Sequence, residues 1–166
     1  MASRSPKTSQ SKTPSPQKPV KPNDGFEVVG QPYARLYLAD DIRSEASGKV
    51  LALGLYSDLV VIVGIPADAP PPTEQVPYGI PRLSFMVTVG GVSGAGPVTV
   101  QLADGALEKT VQASIKPGHS ANLIFSAEPM LFKSFGNKKV TVKLAGHTLH
   151  LDYEIRKQIL DEAQLG

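Results

Sequence analysis

The sequence predicts an all-β fold, an antiparallel β-sandwich of about eight or nine short strands, with a small closed β-barrel as the alternative. Three observations carry this reading. Short segments of alternating apolar and polar residues recur from Ala34 onward. Gly, Pro and Asp-Gly turn signals separate them, and almost no stretch repeats its apolar residues at the helical period. Two segments are apolar on both faces, which favours a sandwich with extra cover from a proline-rich segment, the C-terminal end or a second subunit.

The chain of 166 residues has room for one ordinary domain. Residues 1–24 are Ser, Pro, Lys, Thr and Gln with almost no large apolar side chain, a composition that cannot offset the entropy of ordering. The expected organisation is a disordered basic tail at 1–24, a β-sandwich domain at 25–158, and a C-terminal tail or short helical turn at 159–166.

The first strand is read in Ala34 to Ala39, where Ala34, Leu36 and Leu38 share one face and Arg35 and Tyr37 the other. A polar connector follows from Asp40 to Gly48. In Lys49 to Tyr56 the leucines 51, 53 and 55 line one face while Val50, Ala52 and Tyr56 line the other, so this strand is expected to be buried on both sides. After Ser57-Asp58, Leu59 to Ile65 is a second β-branched run without polar alternation. Pro66 to Pro81 holds six prolines in sixteen residues, which excludes a helix or central strand and predicts a long irregular connection.

Leu83, Phe85, Val87 and Val89 are then expected to face inward, with Ser84, Met86 and Thr88 outward. Gly90, Gly91, Gly94 and Gly96 are expected to end that strand in a flexible loop. Val98, Val100 and Leu102 form the next inward set, closed by the turn dipeptide Asp104-Gly105, and Val111, Ala113 and Ile115 continue the pattern. Pro117-Gly118 is a further turn and Ala121 to Ser126 a further strand. A two-residue turn at Ala145-Gly146 would set Val142 opposite Leu149, Val140 opposite Leu151 and Lys139 opposite Asp152, so that apolar meets apolar throughout. Residues 156–166 could add a helical turn with Ile159, Leu160 and Ala163 on one side.

The pattern Ala39-Asp40-Asp41-Ile42-Arg43, Glu45, Gly48-Lys49, Leu53-Gly54-Leu55-Tyr56 and Asp58 resembles the N-terminal signature of a family of small bacterial proteins known only as a domain of unknown function. The motif covers about twenty residues, and the resemblance implies a compact β-rich cytoplasmic protein. It implies no reaction, ligand or catalytic residue.

Several chemistries are excluded or disfavoured. The chain has no cysteine, so disulfides, thiol catalysis and cysteine-ligated metals are absent. Gly91-Val92-Ser93-Gly94-Ala95 departs from the serine-hydrolase elbow at its last position, and the same segment fits neither a dinucleotide fingerprint nor a phosphate loop. His147 and His150 fall on opposite faces of one strand and His119 lies in a turn, so no shared metal is expected. The concrete candidate is the connector: Asp40, Asp41 and Glu45 offer oxygens to a hard cation, and Arg43 and Lys49 could hold an anion. In the simpler reading Asp40 caps the connector, Asp41 and Glu45 pair with Arg43 and Lys49, and the set fixes the hand-over between two strands.

The basic balance belongs to the tail. Residues 1–23 carry five of the 17 basic residues and none of the 15 acidic ones, giving +5, while the rest carries −3. Nucleic acid is therefore expected to touch only the basic tail. No signal-peptide core is visible near the N-terminus and no run approaches the ~18 apolar residues of a membrane span, so the expected location is cytoplasmic. The expected function is a non-enzymatic protein-interaction or assembly module with a protein partner or as a homo-oligomer, needing no cofactor. The rivals are a phage-like or particle structural component, and a ligand-binding or hydrolytic enzyme using the 40–49 connector.

Overall fold

The computed structural model describes residues 25–102 and 107–160. The expected disordered tail, the Asp104-Gly105 turn and residues 161–166 with Ala163 lie outside the described residues. Within them are ten strands and no helix: β1 Phe26–Ser44, β2 Val50–Leu55, β3 Val60–Pro66, β4 Tyr78–Ile80, β5 Leu83–Leu102, β6 Glu108–Ile115, β7 Ala121–Ala127, β8 Met130–Phe132, β9 Gly136–Leu144 and β10 His147–Leu160. The fold is all-β, as the alternation predicts.

The organiser is β5, twenty residues long. Its first half pairs with β1 on one edge, from Leu38 opposite Phe85 to Tyr33 opposite Gly90, and with β7 on the other. Its second half pairs with β6 from Gly94 onward, and with β9 through Val100 opposite Val142. Since β6 stands across β5 from both β1 and β9, β6 and β7 follow one edge and β1 then β9 the other. The sheet order is β2-β1-β5-β9-β10-β3. The bent sheet therefore folds into two layers, one around β1 and the first half of β5, the other around β9, β10 and the second half. Phe85 of the first layer meets Tyr153 of the second edge-on at 5.9 Å, a contact only face-to-face layers allow. The sandwich holds, and no closed barrel forms.

The glycine-rich segment does not end the strand as expected; it bends it. Gly91 (φ +80°) and Gly94 (φ +111°) adopt left-handed backbone that a side chain disfavours. A Cβ on Gly91 would lie 2.2 Å from the Gln31 carbonyl oxygen, and one on Gly94 would lie 2.6 Å from that of Gly25. Facing this bend, β1 carries a bulge, since its register to β5 shifts between Val28 and Tyr33. The turn glycines thus let two backbones pass closely while the ladder continues.

The inward faces match the alternation. Leu38, Leu83, Val87, Val89, Val98, Val100, Val140, Val142 and Ile155 are all inaccessible to solvent. The last hairpin has the register read from sequence, with Val142 opposite Leu149, Val140 opposite Leu151 and Lys139 opposite Asp152. Ala145 (φ 52°) and Gly146 (φ 75°) form its two-residue turn.

Other expectations fail. One pair is parallel: β10 continues through Leu160 as a strand beside β3, with Ile159 opposite Ile65, where the sequence suggested a helical turn. A short apolar segment takes the structure its neighbour offers, and β3 offers a free edge. The first strand is also longer than read at both ends. The proline-rich connection is irregular through 67–77, as predicted, and then forms β4, which pairs with β8. Tyr78 stacks edge-on with Phe132 (6.1 Å) and Phe135 (6.3 Å), and its hydroxyl donates to the Pro70 carbonyl, pinning the connection to the core.

The largest correction concerns β2. Far from being buried on both faces, it is exposed along its length, with Leu51, Leu53 and Leu55 at 43%, 52% and 57% exposure. It is the terminal strand beside β1, so one edge and both faces lack cover among the described residues. The other terminal strand, β3, is half-buried, with Val61 and Ile65 inside and Ile62 outside.

Candidate functional site

The five connector residues sit on one hairpin but do not form one site. Strand β1 runs through Ser44, so Asp40, Asp41 and Arg43 are strand residues and only Glu45–Lys49 is a turn. Alternation then sends Asp40 and Asp41 to opposite faces. The turn satisfies itself: the Glu45 N–H donates to the Lys49 carbonyl (2.8 Å), the Gly48 N–H to the Glu45 carbonyl (2.9 Å), and the Ser47 hydroxyl to Glu45 Oε2 (3.1 Å). Glu45 and Lys49 are therefore joined through backbone, and among the described residues no ion pair links their side chains.

Asp41 is the buried member of the set. It contacts Arg43 Nε and, at 2.9 Å, Arg82 at the entrance to β5, while Arg82 Nε reaches Glu128 at 2.7 Å. Asp41 Oδ1 and Arg82 Nε make these contacts at ion-pair distance without well-directed hydrogen bonds, so charge attraction holds the chain together. Two acids and two bases alternate, which leaves little net charge to attract an ion. The chain ties the end of β1 to the start of β5 and to the β7–β8 connection.

Asp40 is exposed and accepts a hydrogen bond from the Tyr56 hydroxyl at 2.6 Å. Burial, that hydrogen bond and the Asp40 charge together push the Tyr56 phenol up to about 12. The carboxylate occupies the space beside Gly54, where a Cβ would come within 2.0 Å of Asp40 Oδ2, and Gly54 is left-handed (φ +65°). Asp40, Gly54 and Tyr56 form a lock between β1 and the end of β2. The sequence reading named Asp40 as a site candidate and Tyr56 only as part of the 39–58 pattern; their spacing of sixteen residues becomes a contact only through hairpin pairing.

Among the described residues the surface carries several depressions. One, about 440 Å3, lies between the β1 bulge at Val29–Gly30, Gly91–Val92 and the Pro117–His119 connector, with Tyr33 on its wall. A second of about 240 Å3 gathers Asp58, Asn137, Asp152 and Glu154, and a third of about 290 Å3 lies between Leu55–Asp58, Ile62 and Arg156. Arg156 is engaged by Glu154 at 2.6 Å. His150 stands beside Thr141 (3.4 Å), His147 at the hairpin turn and His119 in the first depression, so the three are apart. Among the described residues no three His, Asp or Glu side chains are grouped to hold a metal ion. Nor is any helix there long and apolar enough to cross a membrane.

What remains distinctive is β2 itself. Leu51, Leu53 and Leu55 stand opposite Arg43, Asp41 and Ala39, so all three leucines share the outer face of the first layer. Half-exposed leucines on consecutive outward positions of an edge strand form a contiguous apolar stripe. The sequence showed their common face but not that it is uncovered. Comparison with protein-family profiles, curated proteins and solved structures finds no match to this chain.

Proposed function

We propose that this chain is a non-enzymatic protein-interaction or assembly module whose presented element is β2. The observation that carries the reading is the leucine stripe of Leu51, Leu53 and Leu55 on a strand paired along one edge only. Open backbone groups beside an apolar stripe are what a binding partner covers with least rearrangement. The pairing of Asp41, Arg43, Arg82 and Glu128 favours a structural role for the connector over ligand-binding or hydrolytic chemistry there.

Site-specific photo-crosslinking tests this. A photoreactive residue at position 53 should give a discrete protein adduct in cells, whereas one at Gln112, exposed on β6, should not. Absence of any adduct from position 53 refutes the reading.

A further inference from the structure

We propose that the occupant of β2 is β2 of a second copy of this chain, paired antiparallel about a two-fold axis. The inference rests on the reading of β2 as an interaction edge and adds the identity of the partner. Three features of the strand support it.

From Val50 to Leu55 there is no proline and no charged residue, so β2 lacks two of the usual devices that keep an exposed edge from pairing. The opposite terminal strand differs. β3 ends on Pro66, which has no N–H to offer an added strand. β6 and β7 are likewise paired along one side only, but among these strands β2 alone joins an open side to three exposed leucines.

The leucines recur at every second residue. An antiparallel pairing centred on Leu53 sets Leu51 against Leu55 of the second copy and Leu53 against itself. Moving the centre to Ala52 sets Leu51 against Leu53, so the stripe stays continuous in either register. A two-fold interface uses the same patch twice, and this patch is complementary to itself.

Charge then selects the orientation. Exposed Lys49 precedes the strand and exposed Asp58 follows it. Antiparallel pairing brings Lys49 of each copy to the Ser57-Asp58 end of the other, two favourable contacts by symmetry. Parallel pairing would align Lys49 with Lys49 and Asp58 with Asp58. Left-handed Gly54 shortens the regular edge, so the contact is small and its dissociation constant falls in the micromolar range rather than below it.

Sedimentation velocity of the purified full chain, from micromolar to millimolar concentration, provides the test. A reversible monomer–dimer equilibrium is expected, with amides of Val50–Leu55 exchanging more slowly as the dimer fills. Leu53→Lys should weaken dimerisation about tenfold or more while the circular dichroism spectrum is unchanged. Lys49→Asp and Asp58→Lys should each weaken it, and the two together should restore it. A monomer at every concentration, a dimer indifferent to Leu53→Lys, or an open-ended series of larger species overturns the proposal. Cross-links from position 53 to other proteins but never to a second copy also overturn it, yet leave the interaction module standing; no cross-link at all removes both.

Discussion

Replacing Gly91 by Ala probes the bend that makes one strand serve two layers. The new Cβ would stand 2.2 Å from the Gln31 carbonyl oxygen, 2.6 Å from the Gln31 carbonyl carbon and 2.8 Å from Pro32 Cα, all backbone atoms that no side-chain rotation can clear. Left-handed backbone costs an alanine about 1–2 kcal/mol, and forced displacement of a packed neighbour about 1–3 kcal/mol, for a loss of about 2–5 kcal/mol. Against a domain stability of about 5–15 kcal/mol, that is a large fraction. Gly118→Ala is the matched control: its φ is +76°, but nothing lies within 4 Å of its Cβ position. It should lose only the backbone part, about 1–2 kcal/mol. Both changes restrict the unfolded chain equally, so the difference isolates the close approach of β1 to β5. Denaturant unfolding of the two variants measures it, and Gly91→Ala should also melt lower by about 10 °C or more than the parent. Equal losses in the two variants would refute the bend-and-bulge account of the sandwich.

Leu38→Ala, at an inaccessible core position, should cost about 2–5 kcal/mol, whereas Leu53→Ala should stay within about 0.5 kcal/mol when unfolding is followed at low protein concentration. Asp41→Asn strips the charge that Arg43 and Arg82 share and should cost about 1–3 kcal/mol, with a coupling to Arg82→Gln in a double-mutant cycle; Glu128→Gln, at the exposed end, should cost less than about 1 kcal/mol. For Tyr56 the folded phenol titrates about 12 against 10.0 unfolded, so its contribution is fully present below pH 10 and fades as pH rises toward 12. The difference in tyrosinate absorbance between the parent and Tyr56→Phe should titrate near the upper value, and Tyr56→Phe should flatten the alkaline fall in stability.

The β9–β10 hairpin was fully legible because its information is local. Ala145-Gly146 sets the turn, and alternation on both sides admits one register that keeps Val140 and Val142 inside. The two inward faces of β5 were legible for the same reason. The bend between them was not, because a glycine that tolerates positive φ suits a loop and a strand bend equally. Only the approach of β1 at Gln31 decides which it becomes. In the candidate site, the pairing of Asp41 with Arg43 was legible from their closeness in the chain, that of Glu45 with Lys49 is absent among the described residues, and Arg82 and Glu128 join from distant segments.

Residue pattern by itself determined that this chain is a β-protein, which side of most strands faces inward, and how the last hairpin pairs. Alternation reports the face on which a side chain stands, and local turns report the neighbour that follows. Neither reports which strand ends the sheet. Tertiary structure alone decided that β3 lies parallel to β10, that β5 belongs to both layers, and that β2, apolar on both sides, lies at an open edge. Burial is a property of what stands opposite, and for β2 nothing in the described chain stands there.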